Sequence, residues 1–358
     1  MTVNPLHPSL AVWLEEVAGA LDTNAERASE VLARLCGGGA VAIGVPEAQG
    51  GVGGDVADAV NVIAKVSESS LAAGFVLWGH RAYVEYLLQS PNGALRDKLL
   101  PDLLAGRVAG ATGLSNAMKF LAGLEDLQVS AAPERSELRL NGKLPWVTNL
   151  RPQGFHVAAA VSRADGPAFI ISLAHDDAGL ARSPDLDLMG LRGTNTAAIA
   201  IADVTVPADR IIAPDAPAWL PQVRPAFLGL QCGMSIGLAR RALREVATNL
   251  GAGRHILAEP ASELASSLAH QERELMDGLR SGVFQSKPAA LFHIRIALAD
   301  IVARAVGLEL QATGGRAYVV GAGDGFARRW REAAFVPIIT PSLVQLKSVL
   351  EAQRRSVA

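Results

Sequence analysis

Apolar residues recur every three or four positions through LAVWLEEVAGAL (10–21) and AERASEVLARLCGG (25–38), a spacing that predicts two amphipathic helices. The second runs into glycines, a stop signal. GVPEAQGGVGGD (44–55) has no period and reads as an irregular loop. A helical pattern then resumes and predicts one long helix from Val56 to about Gln89. Pro91-Asn92-Gly93 breaks it, and LRDKLLPDLLAG (95–106) supplies a further short helix.

Near Gly110 the period shortens to two. LEDLQVSAAP, SELRLNGKLPWVTN, GFHVAAAVSR, PAFIISLAHD and NTAAIAIADVTVP alternate as strands do, with turn residues between them. Within the second, Asn141-Gly142 reads as a hairpin turn leading into a strand that Pro145 interrupts. Evenly spaced short strands predict a compact antiparallel barrel or sandwich. After about Asp215 the helical period returns. Glycines 229, 233 and 237 stand four residues apart on one helix face, where small residues let another backbone come close. Another long helix, LFHIRIALADIVARAVGLELQAT, stops at Gly314-Gly315, and the sequence from Ala327 to Trp330 leads into a final one. Helices, then β, then helices predict an α+β protein with a helical domain over 1–109, a β domain over 110–215 and a helical bundle over 216–358. The βαβ alternation of a nucleotide-binding sheet is absent.

Composition narrows the function. Of 358 residues half are apolar and 19% charged, enough for a large core, while a net charge of −2 gives no electrostatic case for nucleic acid. Cys36 and Cys232 are far apart and read as buried apolar residues. Without a basic leader or a long uncharged apolar run, the expectation is a cytoplasmic protein with no membrane span. No metal-ligand spacing and no GxSxG elbow occur. GGVGG (50–54) lacks the strand and helix of a dinucleotide fingerprint and reads as a structural loop. His80 lies on an apolar helix without a catalytic partner at helical spacing and reads as a packed histidine. Trp146 and Thr148 are different. Two apart on a strand, an indole and a hydroxyl face the same side and suit a planar ligand.

These residues carry a resemblance. NGKLPWVTN resembles the "NGxKxWITN" segment of the acyl-CoA dehydrogenase superfamily, and GVPEAQGGVGGD resembles its "GxPEEYGGxG" loop. LLPDLLAGRVAGATGLS, LMGLRGTNTAAIAIADVTVPADRII, GMSIGLARRAL and QATGGRAY resemble further family segments in the same order, so that the likeness runs from about residue 10 to 350. It implies a helical N-terminal domain, a β domain and a C-terminal four-helix bundle, assembled as homodimers or homotetramers. FAD, or alternatively FMN, would lie between β domain and bundle. Trp146 and Thr148 would meet the isoalloxazine, with Thr148 bonding near N5 and O4, and Ser115 would take the place of a family threonine at the flavin edge. Gln311, Gly314 and Gly315 would approach the diphosphate or adenosine part from a neighbouring subunit, with Arg254 pairing to the diphosphate.

The chain departs from the family where it matters most. Dehydrogenation of an acyl-CoA needs a carboxylate base at the α-carbon. The family's "EGT" segment corresponds to Thr340-Pro341-Ser342, and the alternative glutamate early in the first bundle helix has no counterpart in RPAFLGLQCG. Three readings stay open: a flavin-dependent oxidoreductase of this fold that is not an ordinary acyl-CoA dehydrogenase, such as a monooxygenase served by a flavin reductase; an acyl-CoA dehydrogenase with a relocated base and an electron-transfer partner; or a non-catalytic oligomeric scaffold.

Overall fold

The computed structural model describes residues 6–134 and 137–357. Five helices lead: α1 (Pro8–Thr23), α2 (Ala28–Gly37), α3 (Val56–Ser69), α4 (Leu71–Leu88) and α5 (Gly93–Leu104). Next come β1 (Ala109–Thr112), a short helix α6 (Ser115–Leu121), β2 (Val129–Glu134), β3 (Glu137–Val147), β4 (Phe155–Arg163), β5 (Phe169–Ala174), β6 (Leu180–Arg182), β7 (Ala197–Pro207) and β8 (Ile211–Ala213). The chain closes with α7 (Ala216–Thr248), α8 (Ala258–Ser281), α9 (Val283–Ser286), α10 (Pro288–Thr313), α11 (Asp324–Phe335) and α12 (Leu343–Val357). The predicted order of helices, sheet and helical bundle is the observed one.

Three local expectations are corrected. The helix expected from Val56 to Gln89 is two, because Ser70 turns to an extended conformation (φ −150°, ψ 115°). Its hydroxyl accepts from the Ala73 N–H at 3.3 Å and caps α4. No glycine or proline marks that break. The sheet, expected to be antiparallel, is mixed. Its order is β6-β7-β3-β2-β4-β5-β8, with β1 and β2 both parallel to β4. Alternation along a strand reports which face is buried, not which way the neighbour runs. Finally, Asn141-Gly142 is not a hairpin turn. It lies inside β3, opposite Ser130 and Val129 of β2, at a register shift against β7. Gly142 has φ 144°, and a side chain there would collide with the Gln128 carbonyl. Asn141 Nδ2 donates to Asp203 Oδ1 at 3.0 Å and Asn141 Oδ1 accepts from the Asp203 N–H at 2.9 Å, which holds the irregularity. The β2–β3 pairing extends to Glu134 opposite Glu137, and residues 135–136 lie outside the described ones.

The core runs unbroken from the leading helices through the sheet into the bundle. The glycine face of α7 is what allows this. A Cβ on Gly233 would come within 2.7 Å of the Val60 carbonyl, and one on Gly237 would overlap the Ala64 carbonyl outright. Helix α3 therefore lies backbone-to-backbone on α7. Buried ion pairs reinforce the docking from α11. Arg331 Nε donates to the fully buried Asp22 of α1 at 2.8 Å, and Glu332 accepts from the Leu71 N–H at 3.1 Å and from Arg328 at 3.0 Å. The apolar stretch Asp324–Arg355 has the length and composition of a membrane-crossing helix, but it is divided at 336–342 between α11 and α12.

His80 is a packed histidine. Its Nε2 donates to the Leu103 carbonyl at 3.0 Å and its Nδ1 accepts from the Gly110 N–H at 2.9 Å, an arrangement open only to the neutral ring.

Two expectations follow for stability. Gly237→Ala forces α3 off α7 and lowers unfolding free energy by about 3 kcal/mol, the upper part of the usual overpacking range, read as a lower urea midpoint. Burial lowers the His80 pKa from 6.5 to about 3, so between those values the unfolded chain binds a proton that the folded chain does not. Stability contributed by the neutral ring is thus intact above pH 6.5 and is lost as pH falls toward 3. Between pH 7 and pH 5 this amounts to about 2 kcal/mol, and His80→Gln flattens that part of the urea-midpoint profile.

Candidate functional site

The strand that carries Trp146 is bent on purpose. Leu144 pairs with Ile199 and Val147 with Ala197, so three residues of β3 span what two of β7 span. Pro145, which has no N–H to contribute to a ladder, and Trp146 both bulge outward there. Leu144 and Val147 stay buried, whereas Trp146 is 42% exposed. Its indole faces a cavity of about 350 Å³ at the junction of the three blocks. Trp146, Pro145 and Thr148 form the strand side. Phe75 and Trp78 from α4, Phe227 from α7 and Phe335 from α11 form the helix side, with Ser115 and Lys119 of α6, Thr112 of β1, and Ile338, Ile339 and Thr340 completing the wall. Aromatic residues are only 5% of the chain, so five in one wall is a concentration. Those on the helix side hold one another: Phe75 stacks on Trp78 at 5.4 Å, Phe335 meets Phe75 edge-on at 4.9 Å, and Phe227 lies 5.3 Å from Trp78.

Hydroxyls supply most of the polarity. Ser115 Oγ donates to Thr340 Oγ1 at 3.0 Å, which leaves the Thr340 hydroxyl proton free for another acceptor. Thr148 is 3% exposed and its hydroxyl lies 3.0 Å from that of Thr196. The Thr340 segment is held from behind by a buried unit. Arg295, fully buried, donates from Nε to Gln231 Oε1 at 2.8 Å and from Nη2 to the Val336 carbonyl at 2.6 Å. Gln231 Nε2 in turn donates to the Thr340 carbonyl at 3.0 Å. Burial lowers the Arg295 pKa, and no carboxylate pairs with it among the described residues. Among the residues lining the cavity the charged side chain is Lys119, paired with Glu125 at 2.5 Å, and no carboxylate reaches the wall.

The structure brings Ser115, Trp146, Thr148 and Thr340 together. It places Arg254, Gln311, Gly314 and Gly315 elsewhere, outside the cavity wall. Arg254 sits in the turn after α7 with its Nη2 2.8 Å from where a Gly314 Cβ would be, beside the C-terminal end of α10 that carries Gln311. Arg254 forms no ion pair among the described residues, and a tightly packed glycine beside an open guanidinium is a place where an anionic group can approach. Sequence reading did not find Phe75, Trp78, Phe227 and Phe335, because an aromatic residue among apolar residues at helical spacing looks like core. It also passed over Gln231, Arg295, Thr194 and Thr196. The last two were visible as the TNT of LRGTNT. Among the described residues no cluster of three or more histidine, cysteine or acidic groups suits a metal ion.

Residues 11–107 match the family model described as acyl-CoA dehydrogenase, N-terminal domain. A probable acyl-CoA dehydrogenase, fadE25 of Mycobacterium leprae, is 29% identical over 235 residues, 63% of this chain and 59% of that protein. The chain spans about half the length of the curated relatives it matches. Butyryl-CoA dehydrogenase from Megasphaera elsdenii superposes with a TM-score of 0.79 at 18% identity over 97% of this chain and 94% of the other. Dibenzothiophene monooxygenase from Paenibacillus sp. A11-2 superposes with a TM-score of 0.78 at 16% identity over 95% and 94%. Residues 11–107 thus carry the acyl-CoA dehydrogenase N-terminal domain, and the chain as a whole has the acyl-CoA dehydrogenase fold.

Proposed function

We propose that this chain is a flavin-dependent oxidoreductase of monooxygenase type, whose reaction does not use a carboxylate base where Thr340 stands. The observation that carries this reading is the cavity wall: an exposed indole beside a hydroxyl on the strand side, five aromatic rings in all, and no carboxylate. A planar tricyclic ring fits the strand side, with Trp146 covering one face and Thr148 at the edge, as the resemblance implies. When bound, a flavin supplies two-electron redox chemistry and, once reduced, reactivity toward oxygen. The protein's own part is to exclude water with its aromatic walls and to orient substrate by hydroxyl contacts. Thr340, accepting from Ser115, offers the cavity a donor, the opposite polarity from the acceptor that α-proton abstraction requires.

FAD is preferred to FMN because Arg254, Gln311, Gly314 and Gly315 then have a ligand. Lying outside the cavity wall, they would serve the diphosphate and adenosine of an FAD held by a second copy, in a homodimer or homotetramer. Tyr318 and Val320, 90% and 94% exposed, are apolar surface beside that cluster and suit such an interface. A flavin reductase would be the electron source. The second reading, an acyl-CoA dehydrogenase with a relocated base and an electron-transfer partner, draws its support from the names of the curated relatives.

Purified protein, alone or after incubation with FAD, is expected to show flavin absorbance. Trp146→Ala and Thr148→Ala each weaken FAD retention, by about tenfold or less for the hydroxyl. Arg254→Ala weakens FAD but leaves riboflavin binding unchanged. Unaltered FAD retention in all three variants refutes the assignment of these residues. Anaerobic addition of octanoyl-CoA is expected to leave the flavin colour intact, whereas a reductase and oxygen support substrate hydroxylation. Rapid bleaching by the acyl-CoA establishes the dehydrogenase instead.

A further inference from the structure

Thr148 is the end of a chain of hydroxyls whose direction is set at the other end. Thr194 Oγ1 donates its proton to the Leu191 carbonyl at 2.7 Å. A hydroxyl has one proton, so at the 2.8 Å contact between Thr194 and Thr196 the donor is Thr196. The proton of Thr196 is then used, and at the 3.0 Å contact between Thr196 and Thr148 the donor is Thr148. All three threonines are buried, with exposures of 0%, 2% and 3%, so solvent does not reset the sequence. The terminal acceptor is itself fixed. Leu191 has φ 60°, unusual for a leucine, and its N–H donates to Asp22 Oδ1 at 3.0 Å, the carboxylate that Arg331 holds.

We propose that Thr194 and Thr196 are positioning residues that make Thr148 a hydrogen-bond acceptor toward the cavity. The strand side therefore selects a planar heterocycle that presents a ring N–H over one that presents a bare ring nitrogen. Resting on the flavin reading above, this favours the reduced flavin, which carries a proton on the ring nitrogen, over the oxidised ring, which offers only lone pairs there. Thr148, expected from its place in the family pattern simply to bond near N5 and O4, thus discriminates between two states of one ligand. Thr196→Val removes the acceptor that consumes the Thr148 proton, so that the hydroxyl turns freely and serves either state.

The test compares wild type, Thr196→Val, Thr194→Val and Thr196→Ser, each first shown to keep the wild-type circular dichroism spectrum. In flavin-loaded protein the reduction potential is expected to fall in Thr196→Val and Thr194→Val and to stay unchanged in Thr196→Ser, which keeps the relay. A hydrogen bond gained by the oxidised state shifts the ratio of affinities by up to about tenfold, which corresponds to about 30 mV for a two-electron couple. Equal potentials in wild type and both valine variants overturn the proposal. If the protein takes up no flavin, the functional reading fails, and the inference is read instead from two tricyclic probes at pH 8 under anaerobic conditions. Tryptophan quenching then compares 9,10-dihydroacridine, which has a ring N–H, with acridine, which has none. A severalfold preference for dihydroacridine that disappears in Thr196→Val supports the relay, and equal binding of the two by wild type overturns it.

Discussion

The close approach of α3 to α7 is the contact on which the rest of the molecule depends. Gly233 and Gly237 leave no side chain between the two backbones, so the leading helices meet the bundle at a distance that any Cβ would enlarge. Dispersion forces fade steeply with separation, and a gap of half an ångström forfeits much of each contact. The consequence reaches beyond α3. Helix α4 follows after the single extended residue Ser70, so its placement is inherited from α3. Phe75 and Trp78 on α4 then meet Phe227 of α7, one cavity wall built from two separate blocks. Farther along α7, Gln231 holds the Thr340 carbonyl. A helix that packs through glycines at 233 and 237 thus presents Gln231 and Phe227 to the site from the stretch just before those glycines.

Around that frame the cavity shows a division of labour. Aromatic rings supply area and dryness, and hydroxyls supply direction. A carboxylate would do neither cheaply here. Burying one among Phe75, Trp78 and Phe335 without a paired cation costs several kcal/mol or a shifted pKa. Arg295, behind the Thr340 segment, directs Nε and Nη2 at Gln231 and the Val336 carbonyl, and its buried Nη1 has no partner among the described residues. Thr340 therefore stands in a wall whose lining residues include no acid.

How much of this was legible in the chain depended on the kind of signal. Long periodic segments fixed the order of helices and strands, and the glycine spacing on α7 foretold a close helix contact. Trp146 and Thr148 were legible because residues two apart on a strand share a face, although the bulge at Pro145 that opens this face was not. Strands β1, β6 and β8 escaped notice. AGAT and IIA are too short to show alternation, and a strand buried on both faces has none to show. Asn141-Gly142 misled for a physical reason: glycine at positive φ serves a turn or a bulge equally well, and only the partner strand decides. The hydroxyl relay was beyond reach of spacing altogether, since Thr148 and Thr196 are neighbours through the fold, not along the chain.

The relay also explains why a strained loop is retained. Leu191 and Asn195 both have positive φ, at 60° and 47°, and Asn149 opposite them has 66°. Conformations of this sort cost of order 1 kcal/mol or more each for residues with side chains and persist where the surroundings over-determine them. Here the surroundings are identifiable. Asp22 takes the Leu191 N–H, the Thr194 and Asn195 carbonyls take the Asn149 and Leu150 N–H groups, and Asn149 Nδ2 reaches the Gly110 carbonyl. Together these bonds hold the loop in which the Leu191 carbonyl accepts from the Thr194 hydroxyl. Asp22 lies on α1 and its partner Arg331 on α11, so both helical blocks brace a loop of the sheet. The route from that buried ion pair through Leu191, Thr194 and Thr196 ends at the Thr148 hydroxyl in the cavity wall. Packing between blocks therefore sets more than the shape of the site. It sets the direction in which its hydrogen bonds point.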